Sequence, residues 1–363
     1  MKTPGEFAIE RVRALSAYTP GEQPQEAGWI KLNTNENPYP PSPEVARAIA
    51  RCLKDQADCL KLYPDPVSQK LRAQIAKHHG LDETQVIAGN GSDDILNLLI
   101  RAFGDEKNAV GMTVPSYSLY EVLVAMQGAA LTKIPFAADM ALPEKEIAAC
   151  PANLFLLTSP NAPTGVGFSN AQLARILETY EGIFVADEAY APFADESAAD
   201  LLGQHKNLVV VRTLSKAYGL AGLRVGYALG DAATIGILDR VRDSYNLDTL
   251  AQSAAAAAIA DEDYLAVTLE AIKQTRAQFE KDVKARGFFA YPSQTNFVFM
   301  RPCDGQGRHS SELTRHLFET LKASRILVRA FPNHPLTSCF LRVTIGTPAQ
   351  MRALNTALDL WQT

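Results

Sequence analysis

The chain has 363 residues, 47% hydrophobic and 21% charged, the composition of a soluble globular protein with enough length for one large core and a smaller one. A formal charge of −5 with no basic tail argues against nucleic acid or an anionic membrane surface as a partner. Five scattered cysteines (Cys52, Cys59, Cys150, Cys303, Cys339) form no CxxC or Cys/His pattern, so no disulfide framework and no metal site is expected.

The opening MKTPGEFAIERVRAL has no apolar signal core, and no later stretch reaches the length of a membrane span. A cytoplasmic protein is expected. Residues 1–45 are proline-rich without a long periodic element and read as an arm that packs against other parts of the protein. From about 86 to 230 apolar runs alternate with amphipathic ones. QVIA (85–88), AVGMTV (109–114), LFLLTS (154–159), IFVAD (183–187) and LVVVRT (208–213) read as buried strands. DILNLLIRAF (94–103), SLYEVLVAMQ (118–127) and AQLARILETY (171–180) read as helices, the third opening on a Ser169/Gln172 capping box. Such alternation predicts an α/β fold, a mostly parallel sheet flanked by helices, with ligands at the carboxyl ends of its strands.

After about 247 the pattern changes. A helical stretch runs from Thr249 toward Gly287, and FFAYPSQTNFVFMRP, ILVRAF and CFLRVTIGT follow with helices between and after them. The last helix opens on Thr347-Pro348-Ala349-Gln350, a capping box with proline in the first turn. This end predicts a smaller α+β domain. The expected division is an arm at 1–45, a large domain at 46–272 and a small domain at 273–363.

Four clusters fall at predicted strand ends. GNGSDD (89–94) opens a helix after QVIA; its glycines allow close backbone approach, and the amides of Ser92 and Asp93 suit a phosphate, although plain N-capping explains the same residues. SPNAPTG (159–165) is a rigid turn that can aim the Asn161 amide into a cleft. VADEAY (185–190) leaves Asp187 and Glu188 at the end of an apolar strand, where each carboxylate needs a cation or a ligand's proton. TLSKAYGLAGLRVGY (213–227) places Ser215, Lys216 and Arg224 after LVVV, so that Lys216 is a candidate reactive amine as well as a solvated surface lysine. A phosphate site, a buried acid and a buried lysine together match the demands of pyridoxal phosphate.

With LNTNENPYPPSP (32–43), LYPDP (62–66), PSYSLY, ILVRAF and LRVTIGT added in this order and spacing, the chain resembles the fold-type I pyridoxal-phosphate aminotransferases, and within them the histidinol-phosphate aminotransferase family. It departs from the family pattern at Ala162, where asparagine is common, and in GNGSDD for GNGSDE. The resemblance implies pyridoxal 5'-phosphate held covalently by Lys216, which also acts as the base. Asp187 keeps the ring nitrogen protonated, Tyr190 and Asn161 bind the ring oxygen, and Tyr117 stacks on the ring. Gly91, Ser92, Asp93, Ser215 and Arg224, with Thr213 more weakly, hold the phosphate. Arg329, Arg342, Tyr18 and Asn161 contact substrate. Tyr63 reaches the phosphate of a neighbouring subunit, which implies a homodimer. The reaction implied is transamination of an amine phosphate, histidinol phosphate, with 2-oxoglutarate to give imidazole-acetol phosphate and glutamate. An aromatic amino-acid aminotransferase and a threonine-phosphate decarboxylase share this scaffold and remain alternatives, and a regulator built on the same domain lacks a DNA-binding segment here.

Overall fold

The computed structural model describes residues 3–15, 21–55 and 60–362. Its centre is a seven-stranded sheet. In chain order the strands are β1 (Val86–Gly89), β2 (Val110–Val114), β3 (Leu131–Pro135), β4 (Leu154–Thr158), β5 (Ile183–Asp187), β6 (Leu208–Thr213) and β7 (Gly226–Gly230). They lie in the order β1-β7-β6-β5-β4-β2-β3. All neighbours are parallel except β7, which runs antiparallel to both β1 and β6.

Alternate residues of each strand enter two separate cores. Leu154, Leu156, Val185, Val209 and Val211 face the helices Ser92–Phe103 and Leu119–Gln127, while Phe155, Leu157, Phe184, Ala186, Leu208 and Val210 face the opposite layer. Burial on both faces is why these strands read as unbroken apolar runs rather than as alternating ones. The alanine-rich segment forms the helix Thr249–Ala260, packed on Pro43–Asp55 and Gln69–His79. Asp261 ends it and caps the next helix, Glu262–Ala285, so the long helical stretch is two elements rather than one.

A second, four-stranded antiparallel sheet follows: β8 (Phe289–Ala290), β9 (Phe297–Arg301), β10 (Arg329–Ala330) and β11 (Leu341–Thr344), in the order β10-β11-β9-β8. The expected 272/273 division falls inside the helix Glu262–Ala285, which touches both the three-residue turn Ala191–Phe193 behind the first sheet and β9 of the second. The N-terminal segment stitches the units together. Ile30–Lys31 pairs in parallel with Ile326–Leu327, Leu32 accepts from the Thr344 amide (2.9 Å), and Asn37 donates to the Ala217 carbonyl (2.8 Å). Both predicted capping boxes form, Ser169 with Gln172 and Thr347 with Gln350. Two strands of the large sheet escaped the sequence reading, β3 at the sheet edge, with its exposed Lys133, and β7, hidden by the glycine-rich loop before it, as did the short strand Ile30–Lys31 in the arm. No helix among the described residues is long and apolar enough to cross a membrane.

Candidate active site

One end of the large sheet gathers every cluster found at the predicted strand ends. The carboxyl ends of β1, β4, β5 and β6 lie there, and so does the amino end of the antiparallel β7, with Gly89, Gly226 and Thr213 in register across three strands. That reversal explains how Arg224, just ahead of β7, reaches the phosphate-type cluster after β1. A cavity of about 400 Å³ opens at this end, lined by Ser92, Asp93, Tyr117, Asp187, Tyr190, Thr213, Ser215, Lys216 and Arg224, and on its far side by Arg329 and Arg342. A larger depression, about 1010 Å³, lies at the opposite ends of the strands around Asp105, Asn153 and Gly182. Helix ends and the turns before the strands line it, and none of the sequence-derived site residues reaches it.

The anion end is a backbone cradle. Helix Ser92–Phe103 is capped by Gly91 at φ 90° with no side-chain cap, so the capping explanation of Ser92 and Asp93 does not hold. Their two amides lie in the first turn and lack acceptors inside the helix, and both residues line the cavity. A Cβ on Gly91 would come within 2.6 Å of Arg224 Nη2, and one on Gly226 within 2.3 Å of the Ser92 nitrogen. Arg224, itself at φ 54°, donates to Ser215 Oγ (3.4 Å) and pairs with Asp93 (3.2 Å). Thr213 Oγ1 accepts from the Ser215 amide (3.1 Å) and donates to its hydroxyl (3.0 Å). Of the glycines between Lys216 and β7, Gly219 at φ 67° and the close-packed Gly226 are required, whereas Gly222 faces open space.

The two adjacent acids have different surroundings. Glu188 is 2% exposed and paired: Arg212 donates to it from Nε (2.9 Å), with Nη2 2.7 Å away as an ion-pair partner that itself donates to Ser197 Oγ, and Glu188 also accepts from the Ser197 hydroxyl (3.0 Å) and the Ala198 amide (2.5 Å). Asp187 is 3% exposed, and no cation among the described residues pairs with it. It accepts from the Tyr120 hydroxyl (2.5 Å) and the Ala189 amide (3.3 Å), and burial pushes its carboxyl up to about 6 despite those donors. Tyr120 is a residue that sequence reasoning missed. It sits one helical turn beyond Tyr117, whose ring it meets edge-on, and Thr158 supplies its second contact (2.8 Å).

Lys216 donates to the Thr34 carbonyl (3.1 Å), and burial, reinforced by Arg342, lowers its amine to about 8. Arg329 and Arg342 are paired neighbours on β10 and β11; Arg342 lies over the faces of Phe297 and Phe331, at 5.2 Å from each ring, and donates to the Asn33 carbonyl (3.1 Å). Segment 33–35 therefore touches Arg342, Lys216 and, through the Asn35 amide at 2.8 Å, Tyr190. Tyr117 lines the cavity and donates to Asp93 (3.2 Å). Two predicted residues are placed differently. Asn161 is fully buried behind the cavity wall formed by Ala162 and Pro163, donating to the Pro115 carbonyl and accepting from Thr164. Tyr63 is 80% exposed and stacked on Tyr245 (4.4 Å), outside this cavity. Tyr18 lies outside the described residues. Among the described residues no group of three or more His, Cys, Asp or Glu could hold a metal ion.

The family pattern of aminotransferase class I and II matches residues 27–358. The chain belongs to this aminotransferase family. The histidinol-phosphate aminotransferases of Geobacter sulfurreducens and of a Synechocystis species are 43% and 42% identical to it, each over 96% of this chain and over 97% and 96% of their own lengths. Among solved structures, the Sinorhizobium meliloti histidinol-phosphate aminotransferase in complex with pyridoxal-5'-phosphate superimposes with a TM-score of 0.83 at 28% identity, covering 92% of this chain and 90% of its own. The aminotransferase seen here therefore has the fold-type I architecture expected from its sequence.

Proposed function

We propose that this aminotransferase uses pyridoxal 5'-phosphate to exchange the amino group of L-histidinol phosphate with 2-oxoglutarate, giving imidazole-acetol phosphate and glutamate. The observation that carries the reading is one cavity that holds Ser92, Asp93, Ser215 and Arg224 with the buried acid Asp187 at one side, the half-buried Lys216 amine in the middle and paired arginines at the other. The residues fit the cofactor: Ser92, Asp93, Ser215 and Arg224 line one end of the cavity, brought together where Gly91 and Gly226 leave no space for a Cβ between them, and no cation among the described residues takes the place beside Asp187 that a protonated pyridine would fill. When bound, pyridoxal phosphate supplies a ring that accepts the electron pair left when the substrate's C–H proton departs.

The chain's own residues do the rest. Lys216 Nζ is the covalent anchor and the base that moves the substrate proton; its lowered pKa keeps a large neutral fraction near pH 8. Asp187, charged, holds the ring nitrogen's proton. Tyr190 and Asn161 would serve the ring oxygen, and Tyr117 would cover the ring face. The amides of Ser92 and Asp93, with Ser215, Arg224 and Thr213, hold the phosphate. Arg329 and Arg342 grip the anionic end of either substrate by charge-assisted hydrogen bonds. The arm to residue 45 and the units 46–272 and 273–363 are the parts that come together around this cavity. Tyr63 belongs to the site of a second copy, in a homodimer; its exposure on this chain supports that reading.

The direct test is a half-reaction on the cofactor-loaded protein, with histidinol phosphate, histidinol, phenylalanine and threonine phosphate added separately. Histidinol phosphate should bleach the visible cofactor band far faster than the rest. Equal rates with histidinol would remove the phosphate grip and favour an aromatic substrate, and release of carbon dioxide from threonine phosphate would favour the decarboxylase.

A further inference from the structure

Asn35 carries none of the chemistry assigned above, yet it is 1% exposed and every polar group on it is used. Its amide nitrogen donates to Thr344 Oγ1 (3.0 Å), and its carbonyl accepts from Asn296 Nδ2 (3.0 Å). Its side-chain oxygen accepts from Thr344 Oγ1 (3.1 Å), and its Nδ2 donates to the Tyr190 hydroxyl (2.8 Å). The pattern fixes which way the side-chain amide faces. Thr344, 2% exposed, accepts from a backbone N–H, so its own proton must go to an oxygen, and Asn35 Oδ1 is the one within reach. The NH2 group is thereby turned to Tyr190. A phenol oxygen that accepts there keeps its own proton for another acceptor, and no other partner of that hydroxyl exists among the described residues.

Backbone geometry selects the same residue. Asn35 lies at φ 57°, a left-handed conformation that asparagine tolerates better than other residues bearing a side chain, glycine aside. Glycine would supply the conformation without the amide, glutamine an amide displaced by one methylene without the conformation, and leucine neither. Thr344 is two residues from Arg342 on β11, so the arginine strand, Asn35 and Tyr190 form one continuous hydrogen-bonded chain.

We propose that Asn35 is a positioning residue for Tyr190: held by Thr344, it occupies the acceptor side of the Tyr190 hydroxyl and so commits the phenol proton to the cavity, as donor to the cofactor's ring oxygen. This rests on the reading of Tyr190 given above. The same contact counteracts the upward push of burial on the Tyr190 phenol, which makes it a better donor. A donor at the ring oxygen lowers the proton affinity of the neighbouring lysine nitrogen, so its weakening shows in the pH at which the bound cofactor changes colour.

The experiment titrates the visible absorbance of the cofactor-loaded protein in four forms beside the parent: Asn35→Gly, Thr344→Val, Tyr190→Phe and the Asn35→Gly/Tyr190→Phe double variant. Asn35→Gly should raise the midpoint by about half a pH unit, the size of one weakened neutral hydrogen bond. Thr344→Val, which removes the hydroxyl that orients the amide, should shift it the same way by less. The double variant should titrate as Tyr190→Phe alone. An unmoved midpoint in Asn35→Gly, with Tyr190→Phe shifted, overturns the proposal alone. The same holds if Asn35→Gly shifts the Tyr190→Phe background as much as the parent. An unmoved midpoint in Tyr190→Phe overturns the underlying reading of Tyr190 and the proposal with it. Should Asn35→Gly not accumulate as folded protein, Thr344→Val decides by the same midpoint: a rise supports the proposal and no change overturns it.

Discussion

Asp187 and Glu188 are consecutive in the chain, both almost completely buried, and both at the end of β5, yet they serve opposite ends. Glu188 points to the back of the sheet, where Arg212, Ser197 and a backbone amide satisfy it, and it ties β5 to β6. Asp187 points to the front, where among the described residues a phenol and one amide are its donors and no cation offsets its charge. A buried charge that is paired holds structure together. A buried charge left without a counter-charge is a place prepared for one that arrives from outside.

Substitutions on the two sides should separate these roles. On the front, Asp187→Asn in the loaded protein should lower turnover on the order of 10³-fold, because a neutral amide cannot hold the ring nitrogen's proton. Near-parental turnover would make the acid structural. On the back, Arg212→Met leaves Glu188 buried without its cation and should cost about 3–5 kcal/mol in chemical denaturation, while the absorbance of bound cofactor stays in place. A moved band with unchanged stability would reverse the assignment.

The cofactor-free protein sharpens the contrast further. The Asp187 pKa is raised in the folded state, to about 6 from 3.8, so the native state binds the extra proton and stability falls as pH rises between those values. Above about pH 6 the penalty is full, and Asp187→Asn should then be more stable than the parent by up to about 3 kcal/mol, an advantage that vanishes below about pH 4. Urea denaturation at both pH values checks it; equal stability throughout would mean that Asp187 has a counter-charge. The smallest effect is that of Tyr120→Phe, which removes one donor to the ionised carboxylate and should cost about 1 kcal/mol above pH 6 and less below it. A cost independent of pH would assign Tyr120 to packing alone.

The sequence made the front of the sheet readable and the back not. Strand ends in a parallel sheet collect ligands, so a lysine, an acid and a glycine-rich turn at three such ends announce themselves from local pattern. Nothing local distinguishes Asp187 from Glu188, because the difference lies in Arg212 on the neighbouring strand and in which way each side chain leaves the sheet. Tyr120 was hidden inside a helix that reads as ordinary core. Nothing local in LNTNENPYPPSP marks Asn35 or Thr34, since their partners Tyr190, Thr344 and Lys216 are 155, 309 and 182 residues away in the chain. The antiparallel β7 was lost because a loop rich in glycine precedes it, although it is the strand that brings Arg224 to the anion cradle.

The assignment of the front stands on one amine, and borohydride reduction of the cofactor-loaded protein tests it most directly. Reduction followed by tryptic digestion and mass spectrometry should place the cofactor mass on Lys216, in a peptide running uncut from Thr213 to Arg224 because trypsin does not cleave at the modified lysine. Recovery of the label on any other lysine, or of an unmodified Lys216 from protein that has retained its reducible colour, would contradict the account.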